Sequence, residues 1–98
     1  MIAMAVFMAT MAVFLNVDEE RVAATLQDAA GRLDGAPGEA VLDFSAVRRI
    51  DSPGLRALED LARVAEDKGV KVVLRGVNVD VYKVLKLVKV TRRFSFAN

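Results

Sequence analysis

The chain has 98 residues, 54% of them apolar, with 14 basic and 13 acidic side chains and a net charge of +1. That length suits one small domain, and the apolar content excludes disorder. Cysteine and histidine are both absent, which excludes disulfides, thiol chemistry, histidine acid–base catalysis, Ser-His-Asp triads and nearly every zinc site.

Met1 to Leu15 carry no charge, and the first basic residue is Arg21, so the positive start of a secretory signal is missing. A membrane span needs about 18–20 apolar residues. This run is interrupted by Thr10 and ends at Asn16, which argues against direct membrane insertion. Met4-Ala5-Val6-Phe7-Met8 is echoed by Met11-Ala12-Val13-Phe14-Leu15. Residues 1–15 therefore read as two strand-like segments or one long strand. The link Ala9-Thr10 lacks the Gly or Asn that tight hairpins favour. An uncovered strand edge here would pair with a second copy into a homodimer, whereas a hairpin would bury it within the domain; both accounts stay open.

Asp18 is placed to cap a first helix, with Glu19 and Glu20 in its first turn. Val22, Leu26, Ala29 and Leu33 recur on one helical face. The helix should stop between Gly31 and Gly35, and Gly35-Ala36-Pro37-Gly38 is a loop by composition. Its glycines lack phosphate-loop spacing. Residues 40–44 form a short apolar run of the kind that becomes a buried strand. Asp43 interrupts that run and needs a partner or a strand-end position.

Asp51-Ser52-Pro53-Gly54 follows. Ser52 is a preferred N-cap residue and Pro53 a preferred first helical residue, so the tetrapeptide opens a second helix. A helix start also presents unpaired N–H groups and a positive dipole end, which suit a phosphate or an acidic group of a partner. Arg48 and Arg49 precede it and either flank such an anion or are merely solvated. Leu55, Leu58, Leu61, Ala62 and Ala65 form the helix's apolar stripe. Arg56–Asp60, Glu59–Arg63 and Arg63–Asp67 are spaced to pair on its exposed side. Gly69 is a C-terminal stop, Val70 to Leu74 a strand, and Asn78 the cap of a third helix facing the core with Val81, Leu85 and Val88. Tyr82 lies off that stripe. Arg93 to Phe96 read as a last short edge strand. Strands and helices in alternation imply an α/β domain with a largely parallel centre and right-handed crossovers.

Charge is unevenly spread. Residues 1–47 carry seven acidic and two basic side chains, and residues 48–98 carry six acidic and twelve basic. Beyond Asp80 there is no acid, yet Lys83, Lys86, Lys89, Arg92 and Arg93 follow. The basic end is a solvated helix face or the contact for an acidic protein. Nucleic acid fits it less well, because recognised motifs and interleaved aromatics are lacking. No convergent carboxylate pair, phosphate loop or nucleophile–base set can be assembled. The expectation is a binding module without turnover, metal or cofactor.

Three stretches in order carry a family resemblance: Val41-Leu42-Asp43-Phe44-Ser45, Ile50-Asp51-Ser52-Pro53-Gly54-Leu55 and Gly69-Val70-Lys71-Val72-Val73-Leu74. Together they resemble a STAS domain, the module of sulfate transporters and anti-sigma factor antagonists. The likeness is good over roughly residues 40–90. Leu74 to Leu87 is similar to the STAS subunit of bacterial lipid-asymmetry ABC transporters. The resemblance implies one α/β domain over residues 1–98, with a mixed, largely parallel sheet of four or five strands and helices packed against it. It implies a bacterial, cytoplasmic regulator that docks on a protein partner, an anti-sigma factor or serine kinase, through Asp51, Ser52, Pro53, Gly54 and Leu55, with Arg48, Arg49 and Arg56 as flanking contacts. The alternative it implies is an accessory subunit docking on an ABC ATPase by the same surface. In the phosphorylated antagonists the motif looks like D-S-S-G-L and its second serine accepts phosphate. Here that position is Pro53, which has no hydroxyl, and Ser52 matches the first serine. The loop is thus a candidate phospho-switch that has lost its usual acceptor.

Overall fold

Four strands and three helices alternate through residues 13–33 and 38–97, the part of the chain that the computed structural model describes. The order is β1 (Val13–Asn16), α1 (Val22–Gly31), β2 (Glu39–Asp43), α2 (Ser52–Lys68), β3 (Lys71–Arg75), α3 (Val79–Leu87) and β4 (Ser95–Ala97). All neighbouring strands are parallel, in the spatial order β1-β2-β3-β4. Strands laid down in sequence order with crossovers of one hand put every helix on the same face of the sheet. Register aligns Leu15, Leu42, Leu74 and Phe96 in one row, and Phe14, Val41, Val73 and Ser95 in the adjacent row on the opposite face. Burial follows that alternation in β1, β2 and β3, but not at the edge strand β4, where Phe96 is exposed and Ser95 half-buried. Ala40, Leu42, Val72 and Leu74 are buried under the helices, Val41 and Val73 are half-buried, and Phe14 is 51% exposed.

The expected helical stripes supply the rest of the core. Val22, Leu26, Ala29 and Leu33 are buried, as are Leu58, Leu61, Ala62 and Ala65 of α2 and Val81 and Leu85 of α3. Asp18 caps a 3₁₀ turn, Glu19–Arg21, that leads into α1, its carboxylate accepting from the Glu20 N–H at 3.0 Å. Asn78 caps α3 as expected. Phe44 and Val47, in the loop after β2, are fully enclosed and anchor the chain that runs from the sheet to α2.

Several expectations need correction. Val88 does not face the core but is 40% exposed. Helix α3 ends at Leu87, and Lys89 adopts a left-handed conformation, φ +63°, that turns Val90 inward instead. Leu55 only packs at the edge of the core, while Ala57, off the expected stripe, is buried. The last strand starts two residues later than expected, because Thr91–Arg93 forms a 3₁₀ turn. On α2, Arg63 pairs with Asp60, one turn back, and Arg93 takes Glu66 in a bidentate pair at 2.8 and 2.9 Å. The strand or hairpin expected within residues 1–15 is seen only as β1; residues 1–12 lie outside the described residues.

Candidate functional site

The carboxyl ends of β2 and β3, the loop of residues 44–51 and the first turns of α2 and α3 meet at one edge of the sheet. Ligands of open α/β sheets bind outside the carboxyl ends of the strands, at a reversal of strand order that the described sheet lacks. The hydrogen-bond ladder continues one step past each strand: Val17 N–H to Asp43 O, Phe44 N–H to Arg75 O and Gly76 N–H to Ala97 O, at 2.7–3.0 Å. The loop therefore starts from fixed ground. Asp43, the last residue of β2, accepts hydrogen bonds from the Ser45 N–H at 2.8 Å and from the Ser45 hydroxyl. These bonds, the hydroxyl's first, hold the Asp43 carboxyl below the usual aspartate range, with Arg75 beside it adding to the effect. The carboxylate that looked misplaced in an apolar run is a strand-end turn former. Gly76, at φ +71°, lies against this turn; a Cβ there would come within 3.1 Å of Ser45 Cβ and 3.3 Å of its backbone.

The cap of α2 is Asp51, not Ser52. Asp51 is extended (φ −97°, ψ 179°), and its Oδ1 accepts from the Gly54 N–H at 2.9 Å, while its carbonyl accepts from the Leu55 N–H. Both residues are favoured caps, and the choice falls on the one whose side chain reaches the third helical N–H. Glycine at 54 makes that reach easy: a Cβ there would lie 3.1 Å from the capping oxygen, 2.9 Å from Ile50 Cγ1 and 3.3 Å from Val22 Cγ1. Pro53 becomes the second helical residue, where its missing N–H is not needed. Ser52, freed from capping, is exposed, and among the described residues its hydroxyl has no hydrogen-bond partner.

The expected site residues thus separate. Asp51, Ser52 and Pro53 are exposed together, Gly54 is buried against α1, and Leu55 is half-buried. Arg48 and Arg49 are exposed beside them, and Arg56 lies one turn further along α2. None of these three arginines enters an ion pair among the described residues. On one side of the loop, Glu19, Glu20, Arg21, Arg49 and Asp51 line a cleft of about 310 Å³ against the start of α1. On the other side, Arg48, Arg49, Ile50, Asp80, Val81 and Val84 line a smaller one of about 230 Å³.

One positioning residue was not legible as such. Asn78 Oδ1 caps α3 by accepting from the Val81 N–H at 2.7 Å, and its Nδ2 donates to the carbonyls of Val47 at 3.1 Å and Arg48 at 3.2 Å. The sequence marks the cap, but the clamp spans some thirty residues and depends on the two elements being neighbours. Among the described residues, no three carboxylates gather to hold a metal ion, and no helix is long and apolar enough to cross a membrane.

A sequence model of the family described as "Mlab, STAS domain" matches residues 9–94. The chain belongs to the STAS domain family. Solved structures agree on the fold. The STAS domain of a SulP transporter from Vibrio cholerae superposes with a TM-score of 0.73 at 18% identity, over 91% of this chain and 74% of that one. A candidate anti-sigma factor antagonist from Thermotoga maritima superposes with a TM-score of 0.68 at 22% identity, over 86% of this chain and 71% of that one. At these identities the likeness is one of fold. A comparison with curated proteins finds no match. The α/β fold and the STAS resemblance read from the sequence are both borne out, with all described strand pairs parallel.

Proposed function

We propose that this STAS domain is a non-catalytic binding module that docks on a protein partner through the exposed Asp51-Ser52-Pro53 end of α2, in the manner of an anti-sigma factor antagonist. The observation that carries this reading is the division of labour at the helix start. Asp51 and Gly54 hold the turn, so Ser52 is left as an exposed hydroxyl with no hydrogen-bond partner among the described residues. Arg48 and Arg49, exposed on the preceding loop, supply positive charge toward an acidic partner surface. Such charges change association rate and specificity more than total affinity. The adjoining polar cleft, walled by Arg21, Arg49, Glu19 and Glu20, offers a partner side chain a place to insert.

A second reading has its own support. The matched family carries the description Mlab, and residues 74–87 resemble the STAS subunit of lipid-asymmetry transporters, so an ABC ATPase is the alternative partner at the same surface. A photo-crosslinking residue placed at Ser52 in the native host distinguishes the two: a regulator-type kinase or anti-sigma factor in the adduct supports the first reading, an ATPase the second. The control carries the crosslinker at Asp67, on the opposite end of α2. Equal adducts from both positions, or none from position 52, would remove the Ser52 end as the docking site.

A further inference from the structure

We propose that the carboxyl end of α3 is a second binding surface, one that adsorbs to anionic lipid. Lys83, Lys86, Lys89 and Arg92 are all exposed there, and none enters an ion pair among the described residues. Arg93, the fifth cation of this segment, is taken up by Glu66 and plays no part. Lys86 and Lys89 stand between two adjoining hollows of about 500 and 520 Å³, the first also walled by Thr91 and Arg92, the second by Lys83 and Leu87. Leu87 is 80% exposed, the most of any large apolar side chain described, and Val88 beside it is 40% exposed.

Serving the helix end does not account for this cluster. A helix terminus amounts to about half a negative charge, against four cations here. The last carbonyls are already satisfied by backbone, with Lys89 N–H to Lys86 O and Val90 N–H to Leu85 O at 3.1 Å. An acidic protein is a poorer fit than a membrane. Protein interfaces are enriched in Arg and aromatics and depleted of Lys, whereas three of these four cations are lysines and the apolar member protrudes instead of lining a pocket. Lysines around a projecting leucine suit a headgroup layer, where ammonium groups reach phosphates while stems and the apolar tip sink slightly. Each cation near an anionic leaflet strengthens binding about fivefold, several-hundred-fold for four.

The surface is separate from the docking end. In a parallel α/β layer each helix runs back against its strands, so the end of α3 lies at the edge where the strands begin. Nine residues of helix, about 13 Å, separate it from Asn78, which clamps the Ser52 loop. Adsorption and partner docking can therefore occur together, and the adsorption does not depend on which protein is bound.

The test is co-sedimentation of the full chain with vesicles of phosphatidylcholine alone or with about 30% phosphatidylglycerol. Binding to the anionic vesicles only is expected, with loss as salt rises from about 0.05 to about 0.5 M. Replacing Lys83, Lys86 and Lys89 together by Gln should weaken it about a hundredfold. Leu87→Ser should weaken it further without changing the salt dependence. All four positions are exposed, and circular dichroism of each variant confirms the fold. Equal binding to neutral vesicles, or unchanged binding by the triple variant, overturns the proposal. So does a poly-glutamate peptide or duplex DNA that binds the full chain tightly while the anionic vesicles do not.

Discussion

Asp51, Ser52 and Gly54 sit within one four-residue helix start, and each has a different consequence. Removing the cap by Asp51→Ala should cost about 0.5–2 kcal/mol. Ser52→Ala, an exposed substitution with no hydrogen bond to lose among the described residues, should stay within about 0.5 kcal/mol. Urea titrations of the two variants decide between the caps; the reverse order of effects would restore Ser52 as the capping residue. Gly54→Ala gains helix propensity yet should destabilise, by about 1–3 kcal/mol, because the added methyl meets Ile50, the Asp51 oxygen and Val22 in a packed site. If it is instead as stable as wild type, the contact of α2 with α1 is looser than the geometry says.

Among elements, the two longer stops are instructive. Helices α2 and α3 end in the same way, each with a left-handed residue followed by a valine whose N–H returns to the carbonyl five residues back: Gly69 and Val70 to Ala65, Lys89 and Val90 to Leu85. Gly69 adopts its φ of +68° without steric cost, and Lys89 adopts +63° against one. Lys89→Gly should therefore raise stability by about 1 kcal/mol, read as an increase in urea midpoint at constant m-value. An unchanged or lower midpoint would show that Lys89 has a compensating interaction. Asn78 links elements in another sense. Asn78→Asp keeps the cap but cannot donate to Val47 and Arg48, while Asn78→Ala loses both roles. The expected order of stability is wild type, then Asp, then Ala, and only the clamp should change amide exchange in residues 47–49. Equal exchange in all three would mean that the loop holds itself.

For the molecule as a whole, pH dependence comes from carboxylates that the fold stabilises in the charged form. Asp43 is lowered by the Ser45 hydrogen bonds, and Glu66 by the hydrogen bonds from Arg93. A depressed folded value contributes stability that is present above the unfolded pKa and is lost as pH falls through the folded one. Thermal midpoints should be flat from neutral pH to about 5 and decline below about 4. Histidine is absent, so no side chain ordinarily titrates between. The combined variant Asp43→Asn, Glu66→Gln should have a shallower acid decline than wild type, with a small amplitude because both groups are solvated. A decline as steep as wild type would assign acid sensitivity to other carboxylates.

Read alone, the chain specified the alternation of elements, the buried stripe of α1, most of that of α2 (Leu58, Leu61, Ala62 and Ala65, but not the edge residue Leu55 or the buried Ala57), the stop at Gly69 and the class of fold. Each of these follows from periodicity or from a residue whose backbone preference is local. It also located the Asp51–Gly54 helix start, but not which residue capped it, since Asp and Ser are near-equal caps one position apart and the choice depended on Gly54 packing against Ile50 and Val22. Val88 read as core by spacing and proved exposed, because a left-handed lysine, which local preference disfavours, ended the helix one residue before it. The Asn78 clamp, the Asp43–Ser45 turn pressed on Gly76 and the pairing of Arg93 with Glu66 were decided only in three dimensions. Two of these join residues about thirty apart, and the third needs two strand ends to lie side by side. The gathering of Lys83, Lys86, Lys89 and Arg92 around an exposed Leu87 stands between these cases: the cations are plain in the sequence, but only the fold left them without ion pairs among the described residues and put them at the end opposite Ser52.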